Sequence, residues 1–258
     1  MRYLMRVTIL WLFPAAVAGL ALSPAAVGGL AAPNGRKVFE DHCAKCHGRT
    51  GKGDGPDARR LGFHPRDFTL GAFKCRCTLS GKPPTDEDLR RTIASGMPGT
   101  PMVPLPELSR EERDAVIEYV KTLSPGFRSQ VQDCDVVPQP PQPTPAMVDE
   151  GRQLYEKMQC GKCHGAAGRG DGPAAPTLVD DWGQPIKPYN FVALKKFKCG
   201  NDDADLFRTL MTGMTGSPRP SFADALAFDT GALSAVEKRT TVDHRAWSIV
   251  AYVRSLAR

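Results

Sequence analysis

Two runs of this chain, Cys43-Ala44-Lys45-Cys46-His47 and Cys160-Gly161-Lys162-Cys163-His164, carry the residue types and spacing that point most directly to chemistry. In a C-x-x-C-H run, one turn of backbone brings both sulfurs to one porphyrin edge, where they add across the haem vinyl groups. The imidazole that follows becomes an axial ligand to iron. Two copies predict two covalently bound haem c groups, the first on Cys43 and Cys46 and the second on Cys160 and Cys163, with His47 and His164 on the metal. C-x-x-C also serves zinc sites and thioredoxin-like redox pairs. A four-cysteine zinc site keeps its pairs about 15 to 20 residues apart, whereas more than a hundred residues separate Cys46 from Cys160.

The elements that must position these residues occur twice, in the same order. Gly35 to Phe39 leads into the first motif and Gly151 to Tyr155 into the second, each reading as a short amphipathic helix with glycine and an aromatic on one face. After each motif comes a glycine-rich loop ending Gly53-Asp54-Gly55-Pro56 or Gly170-Asp171-Gly172-Pro173, suited to wrap tightly around something flat. Phe73-Lys74-Cys75 then answers to Phe197-Lys198-Cys199, and Asp88-Leu89 to Asp205-Leu206. A loop follows, from Ser95 to Met102 or from Thr212 to Arg219, and each copy closes with a helix, Val116 to Leu123 or Ile249 to Leu256. This is one unit used twice. Strand signals are nearly absent and the helices are bounded by Asp, Ser and Pro, which predicts an all-α fold. The domains are expected at 33–135 and 146–258, joined by a proline-rich linker at 136–145 that acts as a semi-rigid spacer setting the distance between the haems. Residues 223–243 read as an insertion, a candidate partner-contact loop.

Arg2 and Arg6 precede a stretch from Val7 to Ala32 without a charged residue. Residues 1–32 therefore read as an export signal, with an uncleaved anchor as the alternative and membrane association then running through residues 7–32. Either way the location expected is periplasmic. Loss of this segment leaves 32 basic and 28 acidic residues, a formal charge of +4 that four haem propionates offset. No basic block with interleaved aromatics occurs, so nucleic acid is not an expected partner.

With these motifs placed, residues 33–258 resemble a dihaem cytochrome c made of two class I cytochrome c domains. The resemblance implies that the first helix of each domain crosses the last, Gly35 with Phe39 packing on Tyr119 and Gly151 with Tyr155 on Tyr252. It implies that a proline carbonyl, at Pro56 and Pro173, accepts the Nδ1 proton of the proximal histidine. It also implies a methionine sixth ligand, which raises the reduction potential. In the first domain that is Met102, with Met97 the alternative. In the second, Arg219 stands where Met102 is expected, and an arginine cation cannot ligate iron. Met214 is the ligand favoured there, with Met211 or an open haem as alternatives.

Cys75, Cys77, Cys134 and Cys199 remain, an even number that suggests two disulfides in an exported protein. Cys134 is expected to pair with Cys77 or Cys75, and Cys199 with the other, bridging the domains. His42, His64 and His244 have no histidine counterparts across the repeat and are expected in surface or supporting roles, and Asp54 and Asp171 in tight turns. The function expected is single-electron transfer between redox partner proteins. The alternative is a catalytic dihaem oxidoreductase, or a respiratory-complex subunit, with an open or unusually ligated haem 2.

Overall fold

The Asn34 side chain accepts the backbone N–H of Lys37 and starts α1 (Gly35–His42), the first element of the computed structural model, which describes residues 32–61, 64–128, 133–193 and 196–257. The export segment read in residues 1–32 lies, apart from Ala32, outside the described residues. The C-x-x-C-H turn is α2 (Ala44–His47). Thr85 and Asp88 then form a capping box on α3 (Asp86–Ser95), and Ser109 and Glu112 form one on α4 (Arg110–Leu123). Each box satisfies backbone N–H groups that a helix start leaves orphaned. The second half repeats the series: α5 (Pro145–Lys157) begins with Pro at its first turn, and α6 (Gly161–His164) is the second motif. Boxes from Asp202 and Ser234 start α7 (Asp203–Thr212) and α8 (Ala235–Leu256). The described residues hold two isolated bridges and no strand, so the all-α expectation stands.

In each half the first helix crosses the last at a glycine. A Cβ on Gly35 would collide with the carbonyl of Ala115, and one on Gly151 with that of Ser248. The aromatic one turn on fills the crossing: Phe39 meets Tyr119 at 5.1 Å between ring centroids, and Tyr155 meets Tyr252 at 5.3 Å. The cores grow outward from these crossings. Phe39, Val116 and Ile117 are buried in the first, and Phe207, Leu226 and Trp247 in the second. Burying one such side chain contributes about 1.5–3 kcal/mol.

The halves touch directly. Residues 32–258 form one compact unit, and Cys75 and Cys199, equivalent positions of the repeat, face each other with Cα atoms 5.1 Å apart. Around them Arg76 Nη2 donates to the Thr212 carbonyl at 2.6 Å and Arg91 Nη1 to Asp205 at 2.6 Å. Cys77 and Cys134 also meet, with Cα atoms 4.8 Å apart. Of the two pairings open in the sequence, this selects Cys134 with Cys77 and Cys199 with Cys75.

Two expectations are corrected. The proline-rich segment does not separate the halves: Val137 packs on the second core, and Pro140, Pro141 and Pro143 border a cavity of about 150 Å³ with Met147 and Trp247. Arg239 holds the segment's start, donating to Asp135 at 2.9 Å and to the Val136 carbonyl at 2.8 Å. The distance between the two motifs is set by the direct interface. Nor is 223–243 a loop. Leu226 is fully buried, and 235–243 are the opening turns of α8, which runs 22 residues against 14 in α4. His244 sits within this helix and pairs with Glu150 at 2.8 Å. Among the described residues no helix is long and apolar enough to cross a membrane.

Candidate haem sites

Backbone hydrogen bonds fix both motifs in the same way. Cys43 N–H donates to the Phe39 carbonyl and Cys160 N–H to that of Tyr155, so each motif turn grows directly out of the preceding helix. The loop then folds back: Gly53 N–H donates to the His47 carbonyl and Gly170 N–H to that of His164, both at 2.8 Å. Gly48 and Gly165 adopt positive φ, 75° and 78°, with Asp54 and Asp171 against the space where a side chain would stand.

His47 Nδ1 donates to the Arg66 carbonyl and His164 Nδ1 to the Tyr189 carbonyl, each at 2.9 Å. A carbonyl only accepts, so the proton sits on Nδ1 and the Nε2 lone pair is left for a metal. The expected acceptors, Pro56 and Pro173, are therefore replaced. The Gly-Asp-Gly-Pro turn packs against its own motif, Gly55 N–H donating to the Cys46 carbonyl at 3.1 Å. The segment that follows is drawn back over the histidine by Phe68 N–H to the Gly51 carbonyl, 2.7 Å, and by Phe191 N–H to that of Gly168, 2.8 Å. Phe68 and Phe191 stack on the imidazoles at 4.5 Å. The signal was present in the repeat as Pro65-Arg66-Asp67-Phe68 against Pro188-Tyr189-Asn190-Phe191.

Burial lowers the pKa of both histidines, opposed in each by the carbonyl bond; the Arg219 charge lowers His164 further. Both are neutral at neutral pH, the form that binds a metal. Burial pushes the thiols the other way, Cys43 and Cys160 up to about 11. Cys43, Cys46, Cys160 and Cys163 are unpaired, whereas the other four cysteines face one another. Four free thiols in two pairs, each beside a neutral imidazole with one nitrogen already engaged, fit two covalently attached haems.

The loops before the last helices also superimpose in their bonding. Met97 N–H donates to the Met102 carbonyl at 2.9 Å, and Met214 N–H to that of Arg219 at 3.0 Å. Arg219 thus occupies the place of Met102, and Met214 that of Met97. Its side chain is neither a surface charge nor ion-paired among the described residues. It is half-buried, donates from Nη1 to the Thr209 carbonyl at 2.8 Å, and is lowered to about 10 by burial. Met211 belongs to the second core. His64 lies against Trp182 of the other half, with ring centroids 5.9 Å apart, and His42 is exposed at the end of α1. Arg66, Tyr189 and Trp182 are the site-forming residues that the motifs did not mark.

The duplicated helix crossing and the paired thiol–imidazole sites define an electron-transfer protein with two c-type haems. The chain belongs to the cytochrome c family: the family model described as Cytochrome c matches residues 32–124 and again 148–257. A solved structure similar to this chain is that of the Kuenenia stuttgartiensis reducing HAO-like protein complex, at 40% identity and a TM-score of 0.78, covering 87% of this chain and 96% of that one. Among curated proteins it resembles the cbb3-type cytochrome c oxidase subunit CcoP of Azospirillum sp., 27% identical over 200 residues, which are 72% of this chain and 54% of that protein. The CcoP of Helicobacter pylori is 26% identical over 140 residues, 53% of this chain and 38% of the relative. The chain spans about half the length, or less, of these curated relatives. It is a dihaem cytochrome c that binds two covalent haem c groups and transfers electrons.

Proposed function

We propose that Cys43 and Cys46 would carry haem 1 with His47 and Met102 as the residues that hold its iron, and that Cys160 and Cys163 would carry haem 2 with His164 and Met214 in those roles. The observation that carries the assignment is the pair of identical Nδ1-to-carbonyl bonds at 2.9 Å, which leave Nε2 of both motif histidines as metal-binding nitrogens. Bound there, each haem supplies a one-electron ferrous–ferric couple. The chain's own groups do the rest. The Arg66 and Tyr189 carbonyls hold the imidazole planes and raise their basicity, and Phe68 and Phe191 pack against them. A redox carrier of this kind moves electrons between partner proteins without a substrate pocket.

We place the protein outside the cytoplasm, exported by residues 1–32, with residues 7–32 as the segment through which any membrane attachment would run. In that compartment Cys75–Cys199 and Cys77–Cys134 are read as disulfides, consistent with Cα separations of 5.1 and 4.8 Å. The relatives named above are subunits of an oxidase or of an HAO-like complex, which supports a protein donor and a protein acceptor for this chain. The test is haem stoichiometry and ligation. The purified protein should contain two haems resistant to acid–acetone extraction, and Cys160→Ala with Cys163→Ala should retain one. Reduced protein exposed to carbon monoxide should show no reacting haem; a carbon monoxide spectrum from half of the haem would remove Met214 from the ligand set.

A further inference from the structure

Domain 2 carries a turn that domain 1 lacks: between the loop proline and the proline preceding the histidine-holding segment lie eight residues in the first half (57–64) and fourteen in the second (174–187). The extra residues form a built structure. Asp180 N–H donates to the Gln184 carbonyl at 2.9 Å, and the Asp180 carboxylate accepts the N–H groups of Trp182 and Gln184 at 3.0 and 2.9 Å. An isolated bridge joins Val179 to Pro185. The turn presents Trp182 to the other half, where the Arg66 guanidinium lies over its ring, 4.4 Å from the centroid, with the His64 ring nearly parallel to it.

Arg66 is the residue whose carbonyl holds His47. Its Nη1 is buried with no hydrogen-bond partner among the described residues. A Cβ on Gly216 would collide with that same Nη1 and lie 2.9 Å from Trp182. Gly216 belongs to the distal loop of domain 2, between Met214 and Arg219, with φ of 80°. Its counterpart in domain 1, Gly99, has φ of 74° and nothing within 4 Å of a Cβ. The contact is one-way as well: Tyr189, the counterpart of Arg66, turns its hydroxyl to the Lys196 carbonyl of its own domain.

We propose that Arg66 and Trp182 are positioning residues that couple the two haem sites, tying the carbonyl on the proximal histidine of haem 1 to the methionine loop of haem 2. The backbone of Arg66 sets the strength of the bond to His47 Nδ1, and that bond tunes the imidazole as a ligand. A side chain clamped between Trp182 and Gly216 makes the orientation of that backbone depend on how the distal loop of haem 2 sits. Coupling between two sites is reciprocal, so a change of ligation at haem 2 reaches haem 1. The inference rests on the assignment of His47 to haem 1, which the haem content of each sample checks separately.

The test is a double-mutant cycle on the two-haem protein, read by spectroelectrochemical titration resolved into two components. Trp182→Ala, which removes no charge, should change the haem 1 reduction equilibrium by about threefold or more, ~28 mV for a one-electron couple, with Trp182→Phe restoring it. Met214→Ala should shift haem 1 in the parent protein and leave it unmoved in the Trp182→Ala background. Samples with two haems per chain in which Trp182→Ala leaves haem 1 unchanged, or in which Met214→Ala shifts haem 1 equally in both backgrounds, would overturn the coupling. Arg66→Lys, which keeps the charge and the backbone carbonyl but loses the planar stack, should behave as Trp182→Ala does; a parental haem 1 potential in that variant would also count against it.

Discussion

The two halves are alike on the side of each motif where backbone must hold a histidine, and unlike on the opposite side. Proximally, His47 and His164 give their Nδ1 protons to carbonyls at the same 2.9 Å, under phenylalanines stacked at the same 4.5 Å. Distally, the loop hydrogen bonds persist, but Met102 in one half is answered by Arg219 in the other, half-buried and bonded to the Thr209 carbonyl. Main-chain bonds depend on glycine at a few positions and on little else, so a duplicated unit keeps them while its side chains diverge. Two haems in unlike surroundings can stand at unequal potentials. The axial ligand and the hydrogen bonding around it are the levers that set one haem apart from the other.

The largest effect that would break the comparison lies at the distal positions. Met102→Ala is expected to abolish the weak near-infrared sulfur-to-iron band of haem 1 and leave that of haem 2, and Met214→Ala to do the reverse. Survival of the haem 1 band in Met102→Ala would transfer the role to Met97. Arg219→Met should sharpen the point by giving domain 2 both methionines of domain 1, and the haem 2 potential should move toward that of haem 1.

Next in size are the cysteine pairs. Read as a disulfide, Cys77–Cys134 would close a loop within the first half, and the second half has no counterpart pair. Cys77→Ser with Cys134→Ser should destabilise the first half by about 2–4 kcal/mol, seen as a lower denaturant midpoint for haem 1 absorbance than for haem 2. Cys75→Ser with Cys199→Ser should instead lower both midpoints together, because that pair joins equivalent positions of the two halves.

Much of this architecture was legible in the residues, and the exceptions share a cause. The motifs, the crossing glycines, the helix starts and the displacement of Met102 by Arg219 depend on side-chain identity, or on the lack of a side chain. The acceptor of the histidine proton is a carbonyl, which every residue carries, so Pro56 and Pro173 were no better marked than Arg66 and Tyr189. Trp182 sits in a turn with no counterpart, where comparison of the copies has nothing to align. Residues 223–243 have no counterpart in the first copy, so comparison of the copies could not show that 235–243 extend the last helix. Leu226 and Val242 show that the segment around them packs on the second core all the same.

A smaller effect tests the crossings. Gly35→Ala and Gly151→Ala each drive a methyl into a carbonyl of the partner helix. Each should cost about 1–3 kcal/mol of stability by chemical denaturation. Near-equal losses would show that the crossings remain alike while the distal sides differ; a loss in one half only would mean that the longer α8 has taken over the packing that Gly151 provides.

The smallest effect comes from two caps that are the same in sequence and unequal in consequence. Ser109 and Ser234 each form a capping box with a glutamate three residues on, and replacing such a serine by alanine costs about 0.5–2 kcal/mol. The first buried residues, Val116 and Val242, lie at similar distances from the caps, but the glycine crossing falls at Ala115 in α4, close to Ser109, and at Ser248 in α8, about four turns from Ser234, and Val236 near the start of α8 is 76% exposed. Fraying from Ser109 therefore approaches the core and the crossing with α1, whereas fraying from Ser234 is absorbed by solvated turns before it reaches the crossing with α5. Ser109→Ala should speed amide hydrogen exchange along α4 as far as Val116. Ser234→Ala should speed it only ahead of Val242 and leave the crossing at Ser248 protected, at the lower end of the energy range. Equal propagation in both helices would mean that the added turns of α8 are held by contacts beyond this chain, which would identify that end as part of a partner interface.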